Sequence, residues 1–187
     1  MEMTFTPLSS DLLFSVRLEG KTMSEYNQAL ASWLDLNYLI DFFTENFELI
    51  NTPFWINQGY PVTDPIDCAS FTRKEAIVLN EHIEDLSLVS DTEAKSRLNG
   101  WFKPLDGEYV FVTELVPQKA YGLNYPSMLR LYAIKLADGT YVIVHGGLKL
   151  TKKMKDTPKL HETVTKKIDN VLEFFKSNGI IEKIDLL

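Results

Sequence analysis

The sequence predicts an α+β domain in which helices pack on a small, curved antiparallel sheet. Three observations carry that prediction. Residues 128–136 and 140–144 are rich in apolar and β-favouring types and are joined by Ala137-Asp138-Gly139, whose glycine tolerates the backbone a tight hairpin needs. Long stretches before and after them space their apolar residues as helices do. The last strands are linked by short connections, which favours antiparallel pairing. The expected order is a strand, helices, three strands and a C-terminal helix.

In order along the chain, residues 11–19 (DLLFSVRLE) alternate as a first strand, ended by Gly20. Ser24 is the expected N-cap of a helix running through Trp33. Residues 36–49 form a second helical run with Tyr38, Leu39, Phe42, Phe43 and Phe47 on a wide apolar face. Residues 51–67 hold Pro53, Gly59, Pro61 and Pro65 and are expected as a loop, with Phe54-Trp55-Ile56 folding back on the core. Thr72 followed by Glu75 is a capping-box pattern, opening a helix to about Leu88 with Ala76, Leu79, Ile83 and Leu86 on one face. Residues 95–102 read as a short helix stopped by Pro104, and 109–115 as a β-rich strand broken by Pro117. After the hairpin, 160–177 forms a helix with Val164, Ile168, Val171, Leu172 and Phe175 as its stripe, and Asn178-Gly179 ends it.

With 187 residues the chain is expected as a single domain, residues 1–97 being helix-rich and 98–187 holding the sheet, a basic loop and the last helix. No apolar run is long enough to cross a bilayer, and the first residues lack the basic and apolar regions of a secretory signal. The expected address is therefore the cytoplasm. Cys68 is the one cysteine and the three histidines are well separated, so neither a disulfide nor a zinc site is expected. The acidic groups Glu81/Glu84/Asp85 and Asp64/Asp67 read as solvated faces rather than metal ligands. No motif for a metal or other cofactor is present.

Charge is divided unevenly. Residues 1–125 hold 8 basic and 19 acidic residues, net −11, whereas 126–187 hold 11 and 7, net +4. Seven lysines (149, 152, 153, 155, 159, 166 and 167) crowd between Gly147 and Lys167 against only Asp156 and Glu162. Such concentration in a chain of net charge −7 suits a polyanion at the C-terminal half, although lysine-rich loops are also ordinary solvated surface. Arg130 shares a strand face with Tyr132 and Ile134, where a charge either meets solvent or lines a functional surface. His145 ends its strand beside the loop, as a general acid or base or as a structural hydrogen-bonding group. Arg130, His145 and Lys149 are the catalytic candidates. Lys152, Lys153 and Lys155 are the candidates for nucleic-acid contact, because cleavage of RNA through its 2′-OH needs positive groups around the scissile phosphate.

These residues carry a resemblance. LRLYAIKLADGTYVIVHGGLKLTKKMKDTP (129–158) resembles the end of the RelE/ParE superfamily of bacterial toxins, especially its phage-derived, HigB-like branch. There a strand bearing an arginine precedes an apolar strand ending in His-Gly, then a lysine-rich loop closing in Thr-Pro before a helix. Arg130, His145-Gly146, Lys149, Lys152-Lys153 and Thr157-Pro158 fall on that pattern, and LNGWFKPLDG (98–107) looks like the segment leading into the family's central sheet. The resemblance covers about residues 98–160. It implies a RelE-like element order, a toxin–antitoxin role with metal-independent RNA cleavage that inhibits translation, and RNA or the ribosome and an antitoxin protein as partners. The chain departs from the family in being nearly twice its usual length, in a longer basic loop, and in ending EKIDLL without an aromatic or basic tail. A non-catalytic protein- or nucleic-acid-binding module on the same fold is the alternative. A small-molecule enzyme with a pocket among the aromatics of the helical half is a third reading.

Overall fold

The computed structural model describes residues 2–105, 115–121 and 127–187. The chain opens with a hairpin of β1 (Met3–Leu8) and β2 (Ser10–Leu18), turned through Ser9 at φ 40°. A helical block follows: α1 (Glu25–Leu34), α2 (Leu36–Glu45), the single turns α3 (Phe47–Ile50) and α4 (Pro53–Ile56), α5 (Pro65–Glu84) and α6 (Asp91–Trp101). Then come β3 (Phe102–Pro104), β4 (Val116–Tyr121), β5 (Leu129–Lys135), β6 (Tyr141–Leu148) and α7 (Leu160–Asn178). The architecture is α+β. The six strands among the described residues form one open sheet in the order β1-β2-β6-β5-β4-β3.

The sheet is mixed rather than wholly antiparallel. β2 and β6, distant in sequence, lie side by side in parallel over Leu13–Ser15 and Tyr141–Ile143, while the other neighbours are antiparallel. Alternation along the strands sends their side chains to two cores. Leu13, Leu131, Ala133, Tyr141 and Ile143 meet the helical block on one face. Phe14, Val16, Tyr132, Ile134, Val142 and Val144 meet α7 on the other, through its stripe Val164, Ile168, Val171 and Phe175.

Several expected elements stand where the sequence put them. Ser24 caps α1 by accepting from Asn27 N, the β5–β6 turn passes through Gly139 at φ 90°, and α7 ends on Gly179 at φ 67°. Trp55 is buried, as expected of a segment folded back on the core. Its Nε1 donates to Leu150 O at 2.6 Å. Other elements differ. The capping box at Thr72 does not open a helix, because α5 starts about two turns earlier, with Asp64 accepting from Asp67 N and Pro65 in the first turn. Thr72 instead lies buried mid-helix, its hydroxyl 2.6 Å from that of Tyr60. Pro117 does not break a strand but sits within β4. Its carbonyl accepts from Leu105 N at 3.0 Å, so its missing N–H faces the end of the edge strand β3 and leaves the β5 ladder intact. The strand expected at 109–115 lies outside the described residues, save Leu115.

Candidate functional site

The strand arginine and the basic loop converge on one cavity of about 370 Å³. Arg130 and Tyr132 reach it from β5, and Lys119 from β4, where it stands opposite Tyr132. Lys149, Lys152, Lys153 and Lys155 come from the loop after β6, and His161 from the first turn of α7. No carboxylate stands among the described residues that line it. The five cations selected from sequence are thus brought together. Lys119 and His161 join them without having been singled out, Lys119 because Pro117 masked its strand.

The loop is pinned rather than loose. Thr157, 3 % exposed, accepts at Oγ1 from Leu150 N and Thr151 N at 3.2 and 3.3 Å. Trp55 holds the Leu150 carbonyl, and Lys149 Nζ donates to Lys152 O at 2.7 Å. Arg130 is 5 % exposed, and its Nη1 donates to the carbonyls of Ser127 and Leu129 at 2.8 and 2.6 Å. Both bonds come from Nη1 and fix the plane of the guanidinium at the cavity wall.

His145 lines a different cavity, of about 450 Å³, between α1, α2 and the start of α7. A β-bulge places it there. Tyr132 faces His145 while Ala133 faces Ile143, so Val144 is an extra residue and the histidine turns toward α7. The imidazole stacks on Tyr132 with centroids 6.3 Å apart at 16°. Since Tyr132 lines the basic cavity, that ring stands between His145 and Arg130's surroundings. Glu25 from α1 and Lys167 from α7 complete a cluster. Lys167 Nζ donates to Glu25 Oε2 and lies 3.1 Å from His145 Nδ1, which is itself 3.5 Å from Glu25.

Burial works against charge at Glu25, but the His145 and Lys167 hydrogen bonds outweigh it and hold this carboxyl below its usual range. Burial likewise lowers His145, reinforced by the Lys167 charge and opposed by Glu25. Lys167 Nζ and Glu25 Oε2 both face Nδ1, which accepts from the ammonium in one tautomer and donates to the carboxylate in the other. Sequence reasoning found His145 but neither partner, 120 and 22 residues away.

Two further groups bear on chemistry. Glu75 is 6 % exposed, and burial pushes its carboxyl up to about 8 against the opposing Ser127 hydrogen bond and Arg130 charge. The Cys68 thiol is raised to about 11 by burial, with Asp64 and Asp67 adding to it, so it is not a nucleophile. Among the described residues no three His, Cys, Asp or Glu side chains cluster as metal ligands, and no helix is long and apolar enough to cross a membrane. No family model matches the chain, and neither a curated protein nor a solved structure does.

Proposed function

We propose that the chain is a RelE/HigB-like toxin component that holds RNA phosphate in the Arg130–lysine cavity and cleaves the strand without a metal. The observation that carries this reading is the convergence of six cationic side chains, from β4, β5 and the loop after β6, on one cavity of an acidic protein. Phosphate recognition needs little more than clustered positive charge with fixed geometry, and the pinned loop supplies both. The observed order of two strands, helices, four strands and a helix differs from the expected one by β1 and β3, and only β2, the helices and the β4–β5–β6 meander parallel the order that the resemblance implies.

In this reading the 2′-OH gives up its proton and attacks phosphorus, the P–O5′ bond breaks with the leaving 5′-oxygen taking a proton from water, and a 2′,3′-cyclic phosphate remains. The lysines and Arg130 stabilise the added charge on the phosphoryl oxygens. His161 lines the cavity and is the better placed imidazole to take the 2′-OH proton, whereas His145 acts through Tyr132 as a positioning residue. The non-catalytic binding module remains the second reading, favoured by one observation: Arg130 is buried and bonded to two carbonyls, as a structural arginine would be.

Incubating the protein with single-stranded RNA in chelator, with and without ribosomes, separates the two. The proposal expects fragments ending in cyclic phosphate, with the rate lowered about 10²-fold or more in His161→Ala. RNA that binds but stays intact under both conditions establishes the binding module instead.

A further inference from the structure

We propose that the 450 Å³ cavity binds an unpaired nucleobase of the same strand whose phosphates occupy the basic cavity, an inference that rests on the RNA reading above. The two cavities are divided by the loop after β6. Leu148 lines one and Lys149 the other, while Thr157 to Leu160 face the first and Lys152 to Lys155 the second. A strand laid across this loop places phosphate on one side and a base on the other.

The chemistry of the two sides differs in the way a nucleotide requires. Charge in the 450 Å³ cavity is balanced, with Glu25 bonded to Lys167 and the exposed Glu45 lining it together with Lys159. Phosphate gains little there compared with the neighbouring lysines. The walls are aromatic: Trp33 is buried, and Tyr38 stacks on Phe42 with centroids 6.1 Å apart at 25°. Tyr38 remains 44 % exposed, an uncovered ring in a concave site. Stacking on such rings accepts any base. Polar groups that match a base edge are also present. Gln28 offers a full amide, and Asn46 keeps Oδ1 after its Nδ2 donates to Phe42 O. His145 presents Nε2 beside Gly147 on the cavity wall, while its Nδ1 faces Lys167. The volume is within the range of small-ligand sites, about 300–1,000 Å³. Trp33, Tyr38 and Phe42 all belong to the helical block, so this cavity gives that block a purpose.

The test compares binding of a short single-stranded RNA with that of an abasic strand of equal length, in wild type, Tyr38→Ala and Lys152→Ala/Lys153→Ala. Tyr38 is exposed enough for its alanine variant to fold. Wild type should bind the base-bearing strand roughly tenfold tighter, and Tyr38→Ala should erase that preference while still binding the abasic strand. The double lysine variant should weaken both strands alike. Equal binding of the two strands by wild type overturns the base site and leaves the phosphate reading standing. Should neither strand bind, the phosphate reading fails, and free adenosine and uridine titrated against the NMR signals of the Trp33 indole and His145 ring decide the base site alone. Shifts abolished by Tyr38→Ala uphold it, and unshifted signals overturn it.

Discussion

Glu25 and Glu75 are buried to almost the same degree, yet their acidities move in opposite directions. Glu25 meets Lys167 and His145. Glu75 receives one hydrogen bond, from Ser127, and its Oε1 has no partner among the described residues. A carboxyl raised from 4.5 to about 8 stabilises the fold fully below 4.5, and that contribution is lost as pH rises through about 8. His145, lowered from 6.5, contributes stability that is lost as pH falls below 6.5. Among the described residues the Glu75 slope therefore stands alone between pH 6.5 and 8, since Cys68 and Tyr141 titrate higher. Unfolding free energy should fall across this window by up to about 1.4 kcal/mol per pH unit. Denaturant titrations of Glu75→Gln should show the slope gone, and a slope unchanged in that variant contradicts the assignment. The indole of Trp55 makes a second residue-level case. Trp55→Phe orphans the buried Leu150 carbonyl and should cost about 1–3 kcal/mol in the same titrations. The lysines and Arg130 were visible in the sequence because charge density is local. The partners of Glu75 and His145 were not, because they come from distant elements.

At the scale of elements, the bulge in β6 does the most to shape the site. It turns His145 toward α7, Gly146 toward α1 and Gly147 toward Leu160. A Cβ on Gly146 would lie 2.4 Å from the Ala29 Cβ, an atom that cannot move without its helix. Gly146→Ala should destabilise by about 1–3 kcal/mol through overpacking, visible as a lowered Tm, whereas wild-type stability would mean that α1 is not seated there. The sequence made the β5–β6 turn, the α7 stripe and its glycine stop legible, because each signal lies within a few residues. The bulge carries no such signal: it reflects how β6 packs on both faces. β1 went unread because Pro7 interrupts a short alternation, and only its place at the sheet edge makes the proline harmless. The start of α5 could have been read from Asp64-Pro65, but the Thr72–Glu75 pair matched a capping pattern while serving as buried helix interior.

For the whole molecule, the α+β class followed from patterning, but the pairing of β2 with β6 did not. Those strands meet across more than a hundred residues, and parallel neighbours need no local turn to announce them. The uneven charge was legible, and the fold turns it into a cavity that gathers lysines from the loop after β6 and from β4. The central claim is that this cavity holds RNA phosphate. It is tested most directly by the salt dependence of single-stranded RNA affinity in wild type and in Lys149→Ala/Lys152→Ala/Lys153→Ala. Each phosphate contact contributes about 0.7 to the slope of log K against log salt, so the triple variant should bind more weakly with a slope shallower by about 2. Replacing the exposed Lys152 and Lys153 should change stability by less than about 0.5 kcal/mol each, and replacing the half-buried Lys149, which donates to Lys152 O, should cost about 0.5–1.5 kcal/mol. A folded variant that keeps the wild-type slope, or a wild type without measurable RNA affinity at low salt, contradicts the account.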